Sequence, residues 1–253
     1  NPNELVNLLC KDFNVRIPDF PTAILEKGDT LCKGDKLRLN AYIINDDYSI
    51  VWYDNQKNVI GNNTPILETD LERSEWIYAK VTDQFGCSVE DSTYVIIVPK
   101  PVLSMTVSPK DTICRGDSVV LRVNSGLQKC NFGWSTGTSG DTCKSIPYTT
   151  QNYTVTATSV QFGCITSLSK EIVVLDAEPV GIDGPRYICK GNDAILKGKN
   201  ANHYFWIIKD NDGNEISVEA DSMNFRPEKE TDYFVVGRDN NGCESKAKHT
   251  VGI

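Results

Sequence analysis

Short alternations of apolar and polar residues run through almost the whole chain. "YTVTATS" (153–159) and "YFVVGRD" (233–239) alternate with period two and are rich in β-branched or aromatic types, the signature of strands buried on one face. In the segment ending at Val81 the same parity turns Ile77, Ala79 and Val81 inward. It matches Tyr153, Val155 and Ala157 in one later segment, and Tyr233, Val235 and Gly237 in another. Turn-forming clusters such as "NDGN" break these runs, and no segment has the 3.6-residue period of an amphipathic helix. The pattern predicts an all-β protein.

The strands recur as units. "TLCKGDKLRL" (30–39), "TICRGDSVVL" (112–121) and "YICKGNDAIL" (187–196) each place a cysteine before a basic residue, a glycine, a polar residue and an alternating run. Trp52, Trp134 and Trp206 follow at similar distances, and each unit then reaches a Gly-Cys pair at Cys87, Cys164 and Cys243. The period of about 80 residues suits a small sandwich of some seven strands with tryptophan as its core plug. We therefore expect three tandem immunoglobulin-like β-sandwich domains at 20–99, 100–177 and 178–253, joined by short linkers marked by Pro99, Pro101 and Pro179. Residues 1–19 resemble the stretch after each Gly-Cys, and are expected to be the last strand of a preceding repeat.

Nine cysteines, spread along the chain with only two histidines to assist as ligands, point to disulfides and an oxidising compartment rather than to zinc. The simplest pairing is within each unit: Cys32–Cys87, Cys114–Cys164 and Cys189–Cys243, with Cys130–Cys143 as a local staple. The two turns involved lie at opposite ends of a standard sandwich, however, so bonds between neighbouring units, such as Cys32 to Cys164, are the alternative. Cys10 is left over. The net charge of −8 disfavours nucleic acid as a partner. No apolar run approaches the length of a membrane helix and no signal peptide is visible, so the protein is not expected to span a membrane.

The phrases "ICRGDSVVL…W…YTVTAT…GC" and "TLCKGDKLRL…VWYDNQKNVIG…YAKVTDQFGC" resemble the immunoglobulin-like and PKD-like repeats of Bacteroidetes surface proteins. Such repeats are common in adhesins and gliding-motility-type proteins exported by type IX secretion. The resemblance covers roughly residues 20–253, and the second unit departs from it by adding Cys130 and Cys143. It implies an extracellular or outer-cell-surface location. It also marks Asp-Ser/Thr tripeptides as O-glycosylation candidates, at Thr30, Ser92, Thr112, Ser118 and Ser222.

Candidate chemistry is thin. His203 and His249 read as strand residues rather than bases, and no phosphate loop or zinc motif is present. Asp210, Asp212 and Asn214 alternate as calcium ligands do, but the spacing fits a hairpin turn better. The expectation is no enzyme, no metal and no cofactor. Outward parity instead gathers Tyr53, Trp76 and Tyr78 on one sheet of the first unit, and Phe205, Ile207, Phe234 and Val236 on the third. Exposed aromatic faces of this kind stack on sugars or anchor partner proteins. The function expected is an adhesive stalk or spacer with a protein or glycan ligand at the cell surface, within a longer chain of further repeats. Alternatives are a glycan-binding accessory region of a secreted enzyme or nutrient-uptake protein, and a structural component of secretion or gliding machinery. Arg115-Gly116-Asp117, an integrin-type tripeptide, reads as a turn, because the sister units carry Lys-Gly-Asp and Lys-Gly-Asn there.

Overall fold

The computed structural model describes residues 21–44, 47–209 and 214–253, and all of its regular structure is β-strand. Cys10, Asp210 and Asp212 lie outside the described residues.

The first set of strands is β1 (Ala23–Leu25), β2 (Thr30–Cys32), β3 (Lys36–Ile43), β4 (Tyr48–Tyr53), β5 (Val59–Asn62), β6 (Ile66–Asp70), β7 (Glu75–Asp83) and β8 (Ser88–Val98). They form a sheet in the order β1-β3-β6 and a second in the order β2-β8-β7-β4-β5. The leading segment thus changes sheet. β1 pairs antiparallel with β3, whereas β2 pairs parallel with β8, the last strand. Between the sheets lie Leu37, Leu39, Ile50, Trp52, Leu67, Ile77, Ala79, Val81 and Val95. Each Leu, Ile or Val buried there contributes roughly 1.5–3 kcal/mol.

The second set repeats the plan with β9 (Ser104–Ser108), β10 (Thr112–Cys114), β11 (Val119–Asn124), β12 (Cys130–Trp134), β13 (Thr142–Ser145), β14 (Gln151–Ser159) and β15 (Ile165–Leu175). Its sheets are β13-β11-β9 and β10-β15-β14-β12, and again the short leading strand β10 runs parallel to the last, β15. The third set is β16 (Gly181–Asp183), β17 (Ala194–Lys199), β18 (His203–Lys209), β19 (Glu215–Glu219), β20 (Ser222–Phe225), β21 (Thr231–Arg238) and β22 (Glu244–Val251). Its sheets are β16-β17-β20 and β19-β18-β21-β22, with a single parallel bridge, Tyr187 to Gly252, where the other sets have a parallel strand. Two facing sheets around one core, with a tryptophan on β4, β12 and β18 respectively, make each set an immunoglobulin-like sandwich.

The three repeated tryptophans are buried, and each indole N–H donates to a backbone carbonyl: Trp52 to Thr64, Trp134 to Gly140 and Trp206 to Ala220. The inward parity read from sequence holds in β7 and β14, where Ile77, Ala79, Val81, Tyr153, Val155 and Ala157 are all buried. By compactness the described chain divides into two units. One runs to Lys100 and takes in Gln161–Cys164; the other comprises Pro101–Val160 and Ile165–Ile253.

The cysteine pairing differs from the simplest expectation and follows the alternative, bonds between neighbouring units. Cys32 bonds Cys164 and Cys114 bonds Cys243, with Cα–Cα distances of 5.6 and 5.4 Å. Cys87, Cys130, Cys143 and Cys189 have no disulfide partner among the described residues. The reason is strand length. Cys32 pairs with Val98 at the end of β8, while Cys87 immediately precedes its start at Ser88. Eleven residues of strand separate them, about 35 Å at the usual rise, far beyond disulfide reach. β15 separates Cys114 from Cys164 in the same way, and β22 separates Cys189 from Cys243. The local staple fails for a related reason. Cys130 starts β12, whereas Cys143 lies on β13 of the opposite sheet, fully buried beside Thr136.

Candidate binding face and cysteine-bearing turns

The outer face of the sheet β2-β8-β7-β4-β5 carries four aromatic rings. Trp76 and Tyr78 alternate with the buried Ile77 and Ala79 on β7, so they emerge on the opposite side. Tyr53 of β4 lies directly across from Tyr78, and Tyr94 of β8 directly across from Trp76. The Trp76 and Tyr94 rings are tilted with centroids 5.3 Å apart, and both residues are exposed. The Lys57 ammonium sits 3.9 Å from the centre of the Tyr78 ring and is held there by an ion pair with Glu90 at 3.0 Å. One end of the face is therefore a cation–π cap and the other a pair of open rings. Tyr53, Trp76 and Tyr78 come together as their parity implies. Tyr94 is the member that sequence reading missed. Its signal was present: counting the β7–β8 register outward from the turn at Gly86 puts Tyr94 beside Trp76.

The equivalent face of the third sandwich is built differently. Phe205 of β18 pairs across to Val236 of β21, and Ile207 to Phe234. The Arg238 guanidinium covers the Phe205 ring at 4.9 Å, and β22 places Lys246 and Lys248 opposite Val236 and Phe234. Arg238 is paired with Glu244, and Lys248 with Asp232. The Lys248 contact, then the Thr250 hydroxyl, hold the Asp232 carboxyl below the usual range. This face is an apolar centre fenced by charge. The second sandwich presents hydroxyl pairs instead, Thr154–Ser169 at 2.8 Å and Thr156–Ser167 at 3.0 Å.

Cys32, Cys87, Cys114, Cys164, Cys189 and Cys243 stand in two kinds of turn. In the leading kind, the N–H three residues on donates to the cysteine carbonyl: Asp35 to Cys32 at 2.9 Å, Asp117 to Cys114 at 3.0 Å, Asn192 to Cys189 at 3.1 Å. The glycine between, at 34, 116 and 191, has φ of 84°, 88° and 86°, the backbone that a type II turn demands of its third residue. The residue after the cysteine ties the turn to the end of the last strand, Lys33 N–H to Val98 and Arg115 N–H to Leu175. In the trailing kind, an aspartate caps the hairpin at Cys87 and at Cys243, where the Cys164 turn has Val160. Asp83 Oδ1 accepts from the N–H groups of Phe85 and Cys87, and Asp239 Oδ1 from those of Asn241 and Cys243. Each disulfide links one leading turn to the trailing turn of the following sandwich.

The remaining candidates are scattered. Thr30, Ser92, Ser118 and Ser222 are exposed, and Thr112 is half-buried in β10. His203 Nδ1 meets Glu219 at 2.9 Å and His249 Nε2 meets the Pro185 carbonyl at 3.0 Å. Among the described residues no group of three His, Cys, Asp or Glu side chains is placed to hold a metal, and no helix is long and apolar enough to cross a membrane.

No family model matches the chain, and no curated relative is detected. Several solved structures are similar in part. One holds the N-terminal eight Ig domains of Down Syndrome Cell Adhesion Molecule isoform 1.30.30, at 16% identity over 92% of this chain and TM-score 0.47. This chain spans 36% of that one, about a third of its length. Another is SGBP-B of the Bacteroides ovatus mixed-linkage glucan utilization locus in complex with a mixed-linkage heptasaccharide. It is 15% identical over 93% of this chain and 70% of that one, with TM-score 0.28. A third is a solved chain from a 1.5-MDa bacterial ice-binding adhesin, 12% identical over 94% of this chain and 99% of that solved chain, with TM-score 0.33.

Proposed function

We propose that this chain is a non-catalytic extracellular region whose immunoglobulin-like repeats, at 20–99, 100–177 and 178–253, serve as an adhesive stalk or spacer. The observation that carries the reading is the interlaced pairing of Cys32 with Cys164 and Cys114 with Cys243. A spacer must resist lengthening under load, and these bonds limit it covalently. With both intact, the shortest covalent path from Cys32 to Cys243 crosses only residues 114–164, even if every sandwich unfolds. At about 3.5 Å per residue that caps the span near 180 Å, against about 740 Å for residues 32–243 without the bonds. Disulfides also suit the oxidising exterior. The outer surface of a Bacteroidetes-type cell, reached by type IX secretion, is the setting that the sequence resemblance favours. Exposed Thr30, Ser92, Ser118 and Ser222 offer O-glycan sites there.

Single-molecule pulling from the two ends tests the reading. The stalk account expects an unfolded contour between Cys32 and Cys243 near 180 Å, rising about fourfold on adding a reductant. Full extension without reductant would contradict it.

A second reading, a glycan-binding accessory region, is favoured by the Tyr53–Tyr78–Trp76–Tyr94 face. Open rings on a flat sheet stack against sugar faces. On this reading the Trp76→Ser, Tyr78→Ser double variant loses signal on a glycan array while its thermal unfolding keeps a single cooperative transition. An unchanged array profile would remove the reading.

A further inference from the structure

On the outer face of the sheet β19-β18-β21-β22 the charges are sorted by strand. The cross-strand pairs Phe205–Val236 and Ile207–Phe234 form its apolar middle. Beyond Val236 and Phe234, on β22, stand Lys246 and Lys248. Beyond Phe205, on β19, stands Glu219, and farther along that strand Glu215 lies across from Lys209. Part of this charge is met locally, Arg238 by Glu244 and Lys248 by Asp232. His203, charged only when protonated, contacts Glu219 at 2.9 Å. Among the described residues Lys246 and Glu215 have no ion-pair partner. What remains is a net positive half on β21 and β22 and a net negative half on β18 and β19. We propose that this face pairs with the same face of a second copy, the strands of the two copies running in the same direction.

Symmetry and charge together select that arrangement. A two-fold axis lying along the strands, between β18 and β21, exchanges the two halves of the face. It sets Lys246 of one copy against Glu219 of the other, Val236 against Phe205, and Phe234 against Ile207. Phe234, 43% exposed, is the most open of the four apolar groups and gains cover there. A two-fold axis across the strands would instead lay β22 on β22 and β19 on β19, lysine against lysine and glutamate against glutamate. Charge complementarity thus fits one occupant in one orientation. The other sandwiches lack the pattern. Counted from the Gly-Cys pair, the places of Lys246 and Lys248 hold Glu90 and Ser92 in the first sandwich, and Ser167 and Ser169 in the second. The outer strands of the face lie about 14 Å apart, so the contact is small and the association weak and reversible.

The test is sedimentation equilibrium of the whole chain, thiols alkylated, over a concentration series at low salt. A reversible dimer is expected, weakened about tenfold at high salt. Lys246→Glu with Lys248→Glu, or Glu215→Lys with Glu219→Lys, should each weaken it by more than about tenfold. Mixing the two variants should restore a heterodimer, which misfolded chains could not form. Carbodiimide treatment of mixed isotopically light and heavy chains reads the orientation, and interchain Lys246–Glu219 peptides are expected. A monomer at every concentration, a dimer that both charge swaps leave unchanged, or interchain cross-links that leave out β19 and β22 would overturn the proposal.

Discussion

The guanidinium of Arg115 lies 2.6 Å from the carboxylate of Asp176, while its backbone N–H donates to Leu175. The integrin-type tripeptide is thus folded back on its own sandwich. Asp117 is engaged as well, accepting from the Cys114 N–H at 3.2 Å. Arg115→Lys should change stability by less than about 1 kcal/mol, the usual worth of an exposed pair. Gly116→Ala, at φ of 88°, should cost about 1–2 kcal/mol. Denaturant titration checks both. Attachment of animal cells to immobilised protein should be insensitive to a competing Arg-Gly-Asp peptide.

Trp52 and Trp206 are completely buried and hydrogen-bonded. Replacing either by Ala should cost about 3–5 kcal/mol. Phe keeps most of the apolar contact but leaves the Thr64 or Ala220 carbonyl without its indole donor, and should cost about 1–3 kcal/mol. Thermal unfolding of the two series should preserve that order.

Much of this core was legible in the sequence, whereas the cysteine pairing was legible only as the alternative, Cys32 to Cys164, that the opposite ends of the two turns raised. Strand parity is a local property, so Ile77, Val155 and the tryptophan plugs follow directly from alternation. Which end of a sandwich a turn occupies is not local. It depends on β2 and β10 leaving the first sheet to run parallel with the last strand, a switch with no periodic signature. That switch carries Cys32 and Cys114 to the far end from Cys87 and Cys164, and selects the pairing with the next repeat. Cys143 misled for another reason. It fills a core position opposite Leu121, where cysteine acts as a small apolar side chain. On the aromatic face, Tyr53, Trp76 and Tyr78 came from parity alone, and Tyr94 needed the cross-strand register.

Acid should weaken the fold through a small set of surface aspartates. Among the described residues the folded state holds four carboxyls below their ordinary value of 3.8: Asp54 through Asn58, Asp111 through Lys170, Asp193 through Arg226 and then Asn224, and Asp232 through Lys248 and then Thr250. A depressed folded value means that the ionised form favours the native state. The contribution is complete above the ordinary value and is lost as pH falls below it through the lower folded values. The melting temperature should therefore be flat from neutral pH to about 5 and decline below about 4. Asp193→Asn should shallow that decline, and added salt should weaken the effect.

The two disulfides should behave as independent pairs. Each closes a loop with a sequence separation near 130, 132 for Cys32–Cys164 and 129 for Cys114–Cys243. The chain-entropy model gives about 4–5 kcal/mol for loops of that size. Cys32→Ser and Cys164→Ser should be equally destabilising, and their combination no worse than either alone. Cys32→Ser combined with Cys114→Ser should approach the sum.

The central claim, that bonds run from each repeat to the next, is tested most directly by non-reducing peptide mapping with free thiols blocked before digestion. The account predicts peptides joining Cys32 to Cys164 and Cys114 to Cys243. Peptides joining Cys32 to Cys87 and Cys114 to Cys164 would contradict it.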